Sequence, residues 1–442
     1  MNIPVVLKPQ AGLGTRLAVA LGIGAATLLG SIGSHVAFAQ TAAAPVEIVY
    51  ATFLDPNNQN DPRAAAQMKA IAAFEKANPG IKVKVQVDST QQATLRALRS
   101  RSATPDLFRV ANFSLPEFVA TNSMVPMDDL LKRDNVSQSD FLIPLAAGAI
   151  NGKIYGMQQD YRIPVLLYRK KLLQQVDQKP PATWDDVCVV GGKLSALPNI
   201  VGYAVPVGTS GGLGGAQPLA ENLFSSMVSE DGGKYFADNN REFVAPKAQV
   251  IRSLQTIKDL YGKCKATPMT SVQFGYTEVH DGLRAGTVAM ATFGLFRFRA
   301  IESGGAGEDL GWAPPPAYGK QVTYGFMVSI NSNTANREAA WQFAKFMGSP
   351  EGQAITAEGG EVVARTSVYN NPYFATPAGL RQKEWSQLVK ERGQMVNYSL
   401  LTTTFNQILG DAVQRMLLRN GTPEEAYAEI DTKYKEALAK SP

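Results

Sequence analysis

The chain has 442 residues, a formal net charge of +5, two cysteines and two histidines. That length suits two domain-sized units rather than a single core. The dispersed, mild basicity excludes a nucleic-acid footprint, and two thiols with so few imidazoles exclude a self-contained zinc site.

In chain order, the first segment carries Lys8 and Arg16 and no acid up to Arg16, then an apolar stretch from Leu17 to Gly33, then Ala37-Phe38-Ala39 before Gln40. This is the three-part layout of a secretory signal peptide, too short and too glycine-rich for a membrane span. Cleavage is expected after Ala39, with no cysteine nearby to carry a lipid anchor, which places the mature protein in the periplasm. No later apolar run has the length of a span.

Val46 to Tyr50 reads as a strand, followed by a polar loop from Phe53 to Arg63 and a helix with Met68, Ile71 and Phe74 on one side. Pro79-Gly80 stops it, and Ile81 to Val87 alternates strictly, as a half-wet strand does. Leu95 and Leu98 mark a short helix whose Arg96, Arg99 and Arg101 form a solvated face, and Asp106 to Val110 is the next strand. This rhythm predicts an α/β fold with a largely parallel sheet. Ile163 to Tyr168 is a continuous apolar strand, Thr183 caps a helix carrying Trp184, and Ala248, Ile251, Leu254, Ile257 and Tyr261 recur at helical spacing. Val288 to Phe293 reads as a buried strand, Glu338 to Met347 as a helix, and Thr422-Pro423-Glu424-Glu425 as a capping box opening the last helix.

Two constellations could carry chemistry. Gly208-Thr209-Ser210-Gly211-Gly212 matches a nucleophile elbow between a strand-like run, Tyr203 to Val207, and a helix-like run, Ala220 to Val228. A serine hydrolase would need His280 as its base, the one histidine left after signal removal, and no oxyanion-loop motif is present. The glycine-rich loop reads better as a flexible ligand-facing segment. Glu278, His280 and Asp281 lack metal-ligand spacing, so neither a metal nor a catalytic residue is expected. Cys188 and Cys264 permit a disulfide in an oxidising compartment, or two buried thiols.

Ala72-Ala-Phe-Glu-Lys-Ala-Asn-Pro-Gly-Ile-Lys-Val, Pro105-Asp-Leu-Phe-Arg-Val, Val125-Pro-Met-Asp-Asp-Leu, Asn151-Gly-Lys-Ile-Tyr-Gly, Pro181-Ala-Thr-Trp-Asp-Asp, Leu283-Arg-Ala-Gly-Thr-Val-Ala-Met, Arg337-Glu-Ala-Ala-Trp-Gln-Phe-Ala-Lys-Phe and Ser349-Pro-Glu-Gly-Gln follow one another along residues 46–438. In that order they resemble family 1 extracellular solute-binding proteins of ABC importers, the maltose-binding-protein-like group. The resemblance implies a two-lobed α/β periplasmic binding protein fold (type II-like) with the ligand cleft between lobes. Lobe one would take 46–162 and 312–363, and lobe two 163–311 and 364–442. It implies a monomer without enzymatic activity or cofactor, closing on a small carbohydrate or polyol and passing it to the permease subunits of an importer. A phosphorylated polyol or organic anion is the alternative, for which Arg162, Arg297, Arg299 and Arg365 speak.

Ligands of open α/β sheets sit beyond the carboxyl ends of the strands. The resemblance accordingly implies contacts from Phe53, Asp55, Asn112, Asp160, Tyr161, Arg162, Phe293, Phe296, Tyr324, Phe326 and Phe405. Phe296 falls where sugar binders of the family often carry Trp, and none of the four tryptophans falls at a platform position, which argues against a large oligosaccharide. Arg162→Ala is expected to weaken binding while leaving the stability of the empty protein unchanged, on the premise that the side chain faces an open, wet cleft.

Overall fold

The computed structural model describes residues 44–441 apart from 59, 212, 214, 317 and 318; the expected signal segment, 1–39, lies outside them. Among the described residues no helix is long and apolar enough to cross a membrane.

Two sheets organise the fold. The first contains β1 (Val46–Thr52), β2 (Ile81–Val87), β3 (Leu107–Ala111), β4 (Met157–Gln158) and β8 (Phe326–Ile330) in the order β2-β1-β3-β8-β4. β1 runs parallel to β2 and β3, whereas β8 is antiparallel to both β3 and β4. The second sheet contains β5 (Pro164–Arg169) flanked by β6 (Met290–Gly294) and β7 (Leu310–Ala313), both antiparallel to it. The expected largely parallel sheet therefore holds only for β1, β2 and β3. A continuous apolar run reports that both faces of a strand are covered, not the direction of its neighbours: Val165, Leu166 and Leu167 are fully buried inside an antiparallel sheet. β7 runs across the expected lobe boundary at 311/312 and pairs with the second sheet along its whole length.

The helices form where their patterns and caps direct. Asp61 caps α1 (Pro62–Ala77) by accepting from the Arg63 N–H at 3.0 Å, with Pro62 at the first helical position. Ile71 and Phe74 of α1 lie against the first sheet, where Tyr50 and Phe74 each meet Phe343 edge-on at 5.1 Å. Each such ring contributes roughly 1.5–3 kcal/mol by leaving water. Capping boxes open α2 (Trp184–Ser195) at Thr183 and α6 (Pro423–Ala439) at Thr422. The inner face of α3 (Lys247–Tyr261) is Val250, Leu254, Ile257 and Tyr261, so the stripe is rotated from the one expected: Ala248 is exposed and Ile251 half-buried. α4 (Arg337–Met347) carries Phe343, and α6 packs on both α3 and α5 (Thr402–Leu418). Cys188 of α2 and Cys264, just beyond α3, form a disulfide with Cα atoms 4.9 Å apart.

Asp160–Tyr161 pairs with Val362–Val363, and Arg162 bridges to Tyr324, beside the expected crossings at 162/163 and 363/364. Gly325 is required at this crossing, because a Cβ there would collide with the Asp160 carbonyl.

Candidate functional site

A cavity of about 260 Å³ opens between the lobes. The first lobe contributes Phe53, Asn58, Asp61, Arg63, Ser89 and Phe113, and the second Gln217, Tyr276, Phe296 and Arg297. Arg162, Tyr324 and Phe326 close the floor.

Beneath that floor lies a buried quartet of charges. Arg109 is ion-paired with Asp160 and, at 2.9 Å, with Glu361; Arg162 is ion-paired with Glu361 and, at 3.3 Å, with Asp160. All four side chains are at most 6% exposed. Two cations against two anions leave the quartet neutral, and the mutual pairing compensates the desolvation of each. Burial alone would raise the Glu361 carboxyl, but Arg109, Arg162 and Arg63 outweigh it and bring it down to about 2. Asp160 moves the other way, raised by burial and by the neighbouring Glu361 charge.

Arg162 is also the centre of an aromatic stack. Its guanidinium carbon lies 4.1 Å from the Phe296 ring centre and 4.3 Å from that of Phe326. Phe326 packs on Phe53 at 4.8 Å, and Arg109 lies 5.1 Å from Phe53 and 5.0 Å from Phe326. Cation–π attraction of this kind strengthens when the cation is desolvated. The ion pairs fix the guanidinium, and the guanidinium fixes the rings, giving the cavity a preorganised apolar floor with a charged centre.

The walls are polar. Arg63 forks onto Asp61 at 2.8 and 2.6 Å, and these bonds overcome the upward push of burial to hold the Asp61 carboxyl at about 2. Arg297 donates to the Tyr276 hydroxyl at 3.1 Å, and Tyr324 donates to Asn222 at 3.2 Å.

The expected contact residues divide cleanly. Phe53, Arg162, Phe296, Tyr324 and Phe326 line the cavity. Asp160 lies one layer below it, in the quartet. Asn112 is buried beside the floor, accepting from the Gly325 N–H at 2.7 Å and donating to Gln158 at 3.3 Å. Asp55 is turned into its own loop, accepting from the Asn57 N–H at 2.8 Å. Tyr161 points away and donates to the Ile143 carbonyl at 2.7 Å. Phe293 is core, packed on Tyr276 at 4.6 Å, and Phe405 lies among Tyr235, Phe236, Phe243 and Tyr434. Of the arginines read as anion partners, Arg365 is away from the cavity, bonded to the Gly348 carbonyl at 2.7 Å and to Asp140 at 3.3 Å.

Sequence reading passed over Asp61, Arg63, Ser89, Gln217 and Tyr276. The Asp61-Pro62-Arg63 signature was legible as a helix start, and the same cap aims Arg63 into the cleft. Gly211, in the glycine-rich loop read as ligand-facing, stands on the cavity rim with φ +70°. The hydrolase arrangement is not formed. Ser210 Oγ is hydrogen-bonded to Glu278, His280 Nδ1 faces Asp281 at 3.2 Å, and Tyr203 to Val207 is buried irregular chain rather than a ladder strand.

Comparison with known proteins agrees with this architecture. Residues 57–354 match the family described as bacterial extracellular solute-binding protein, and the chain belongs to it. YcjN of Escherichia coli (strain K12), which bears a provisional ABC transporter periplasmic-binding name, is 26% identical over 306 residues, 64% of this chain and 65% of YcjN. The matched region thus spans less than two thirds of that relative's length. Among solved structures, the ABC substrate-binding protein Lmo0181 of Listeria monocytogenes in complex with cycloalternan has a TM-score of 0.74 at 18% identity, covering 89% of this chain and 99% of the other. An ABC transporter solute-binding protein of Thermotoga lettingae bound to α-D-tagatose has a TM-score of 0.73 at 21% identity, covering 90% and 100%. At those identities the likeness is one of fold: two α/β lobes around a cleft.

Proposed function

We propose that the chain is the periplasmic capture component of an ABC importer, closing on a small carbohydrate or polyol and releasing it to the permease without chemical turnover. The observation that carries this reading is the cavity between the lobes, with an aromatic floor held by Arg162 and polar walls. Sugar hydroxyls both donate and accept, and Asn58, Asp61, Ser89, Gln217 and Tyr276 supply complementary groups, while Phe53, Phe296 and Phe326 cover C–H faces. The cavity of about 260 Å³ has room for a monosaccharide-sized unit. Tagatose in one protein of the same fold is of that size class; cycloalternan in another is larger.

Phe53 and Phe326 come from the first lobe and Phe296 from the second, so a solute resting on the floor touches both halves. Such contacts favour the closed form in proportion to their differential strength. The lobes are read as 46–162 with 312–363 and 163–311 with 364–442, and the pairing of β7 supports a second crossing just after Ala313. The protein is taken to act as a monomer, exported by cleavage after Ala39.

The test is a thermal-shift screen of residues 40–442 against monosaccharides, disaccharides and polyols, followed by calorimetry and small-angle scattering. A sugar or polyol should raise the melting temperature, bind with a one-to-one stoichiometry and compact the particle. Failure of the whole panel would defeat the reading. N-terminal sequencing of periplasmic protein should begin at Gln40; an intact Met1 in the membrane fraction would defeat the export assignment.

A further inference from the structure

A second, larger cavity of about 580 Å³ adjoins the first and shares Asn58, Asp61, Arg63, Phe296 and Arg297 with it. Its remaining wall includes Arg284, Arg299 and His280. Among the described residues, four guanidinium groups thus face a concave space whose one lining carboxylate is Asp61.

The four are not equivalent. Arg63 is spent on Asp61, and Arg284 is paired with Asp281 at 3.3 Å. Arg297 donates to a neutral hydroxyl, that of Tyr276, and Arg299 to a neutral carbonyl, that of Glu358. Among the described residues neither Arg297 nor Arg299 is ion-paired with a carboxylate. This contrasts with Arg109 and Arg162 a few residues away in space, whose charges the quartet cancels. The 16-residue helix α1 also begins at this cavity, adding the positive end of its dipole. Concave walls of one sign focus the field and raise the local concentration of an oppositely charged group. A guanidinium fork presents paired N–H donors that match carboxylate or phosphate oxygens.

We infer that the outer cavity is an anion subsite, and that the solute is a small sugar or polyol bearing one acidic group, a carboxylate or a phosphate. Its hydroxylated part rests on the Phe296–Arg162–Phe326 floor and its acidic group lies against Arg297 and Arg299. This inference rests on the carbohydrate-capture reading above and narrows it. Both lobes contribute to the subsite, Asn58 and Arg63 from one and Arg297 and Arg299 from the other, so the acidic group also ties the lobes together on closure.

The experiment is calorimetric titration of the mature protein and of Arg297→Gln and Arg299→Gln. The probes are D-glucose and D-glucuronate, D-galactose and D-galacturonate, sorbitol and sorbitol 6-phosphate, and inorganic phosphate. At least one acidic probe should bind more tightly than its neutral counterpart, by about tenfold per engaged arginine. Each substitution should remove about that factor for the acidic probe and reduce the weakening caused by added salt, and Arg299→Gln, outside the inner cavity, should leave the neutral probe nearly unchanged. Three results would overturn the inference. One is neutral probes binding as tightly as acidic ones. The second is acidic probes indifferent to both substitutions. The third is inorganic phosphate binding with no acidic sugar competing, an adventitious ion only. The first leaves carbohydrate capture standing. If no sugar or polyol of either charge binds, it is the capture reading itself that falls. Unliganded melting temperatures of the variants should stay close to wild type, since among the described residues neither arginine is ion-paired with a carboxylate.

Discussion

Arg162→Ala separates a cleft residue that merely touches solute from one that also holds the fold. Arg162 is 4% exposed and ion-paired with Glu361 and Asp160, so its removal leaves two buried carboxylates with Arg109 as their remaining ion-pair partner. Breaking a buried pair by deleting one partner costs about 3–5 kcal/mol. The unfolding entropy of a chain of roughly 400 residues, at about 2.1 cal/mol/K per residue, is near 0.8 kcal/mol/K. The ligand-free variant should therefore melt about 4–6 °C below wild type in differential scanning calorimetry, besides losing affinity. Taken as a residue in an open, wet cleft, Arg162 would have left the empty protein's stability untouched. Arg162→Lys should recover part of the loss, because an ammonium restores charge but not the fork or the flat stack on Phe296 and Phe326. If Arg162→Ala melts with wild type and only binding suffers, the quartet is not the neutralising unit described above.

Burial raises the Glu221 carboxyl to about 8. Its folded pKa stands above the ordinary 4.5, so the native state holds the proton longer than the unfolded chain and stability falls as pH rises from about 4.5 to 8. That span corresponds to about 5 kcal/mol, and Glu221→Gln should flatten the melting-temperature profile across it; an unchanged profile would refute the assignment. The Cys188–Cys264 bridge spans a sequence separation of 76, for which loop-closure entropy gives about 4.5 kcal/mol, so Cys188→Ser with Cys264→Ser should lower the urea midpoint and a reductant should do the same to wild type only. Ser210→Ala should leave solute affinity nearly intact, and an activity-based serine probe should not label the protein; labelling that vanishes in Ser210→Ala would reverse the reading.

Periodicity made most elements legible because burial and caps are local. Val46–Thr52, Ile81–Val87, Pro62–Ala77 and Pro423–Ala439 were each announced by alternation, an apolar stripe or a capping box within a dozen residues. Strand direction was not, since Leu166 is buried on a two-sided strand whether its neighbours run parallel or antiparallel. Period 2 also explains one division in the site. Asp160 and Arg162 point to the same side of an extended segment, into the quartet, and Tyr161 between them must point to the other, where it meets Ile143. Three consecutive residues could not all have faced the cleft.

The charges show a deeper reason for what stayed hidden. In the sequence, Arg109, Arg162, Arg297 and Arg299 are alike, each an arginine near the end of a strand or in a turn. Arg109 meets Glu361 across 252 positions, through a crossing that only the assembled lobes create. Arg162 meets the same carboxylate across 199. No local pattern encodes those encounters, and Glu361 stands beside a glycine pair that reads as a helix stop. Neutralisation is thus a property of topology, and it sorts the four arginines into two kinds. The pair sunk beneath the floor has its charge cancelled and serves to hold Phe53, Phe296 and Phe326 in place. The pair on the outer wall keeps its charge facing the cavity. If the cleft served only to present hydroxyl-complementary groups, the economical arrangement would be to cancel the second pair as the first is cancelled. The chain does not do so, and an incoming acidic group is the partner that would complete it.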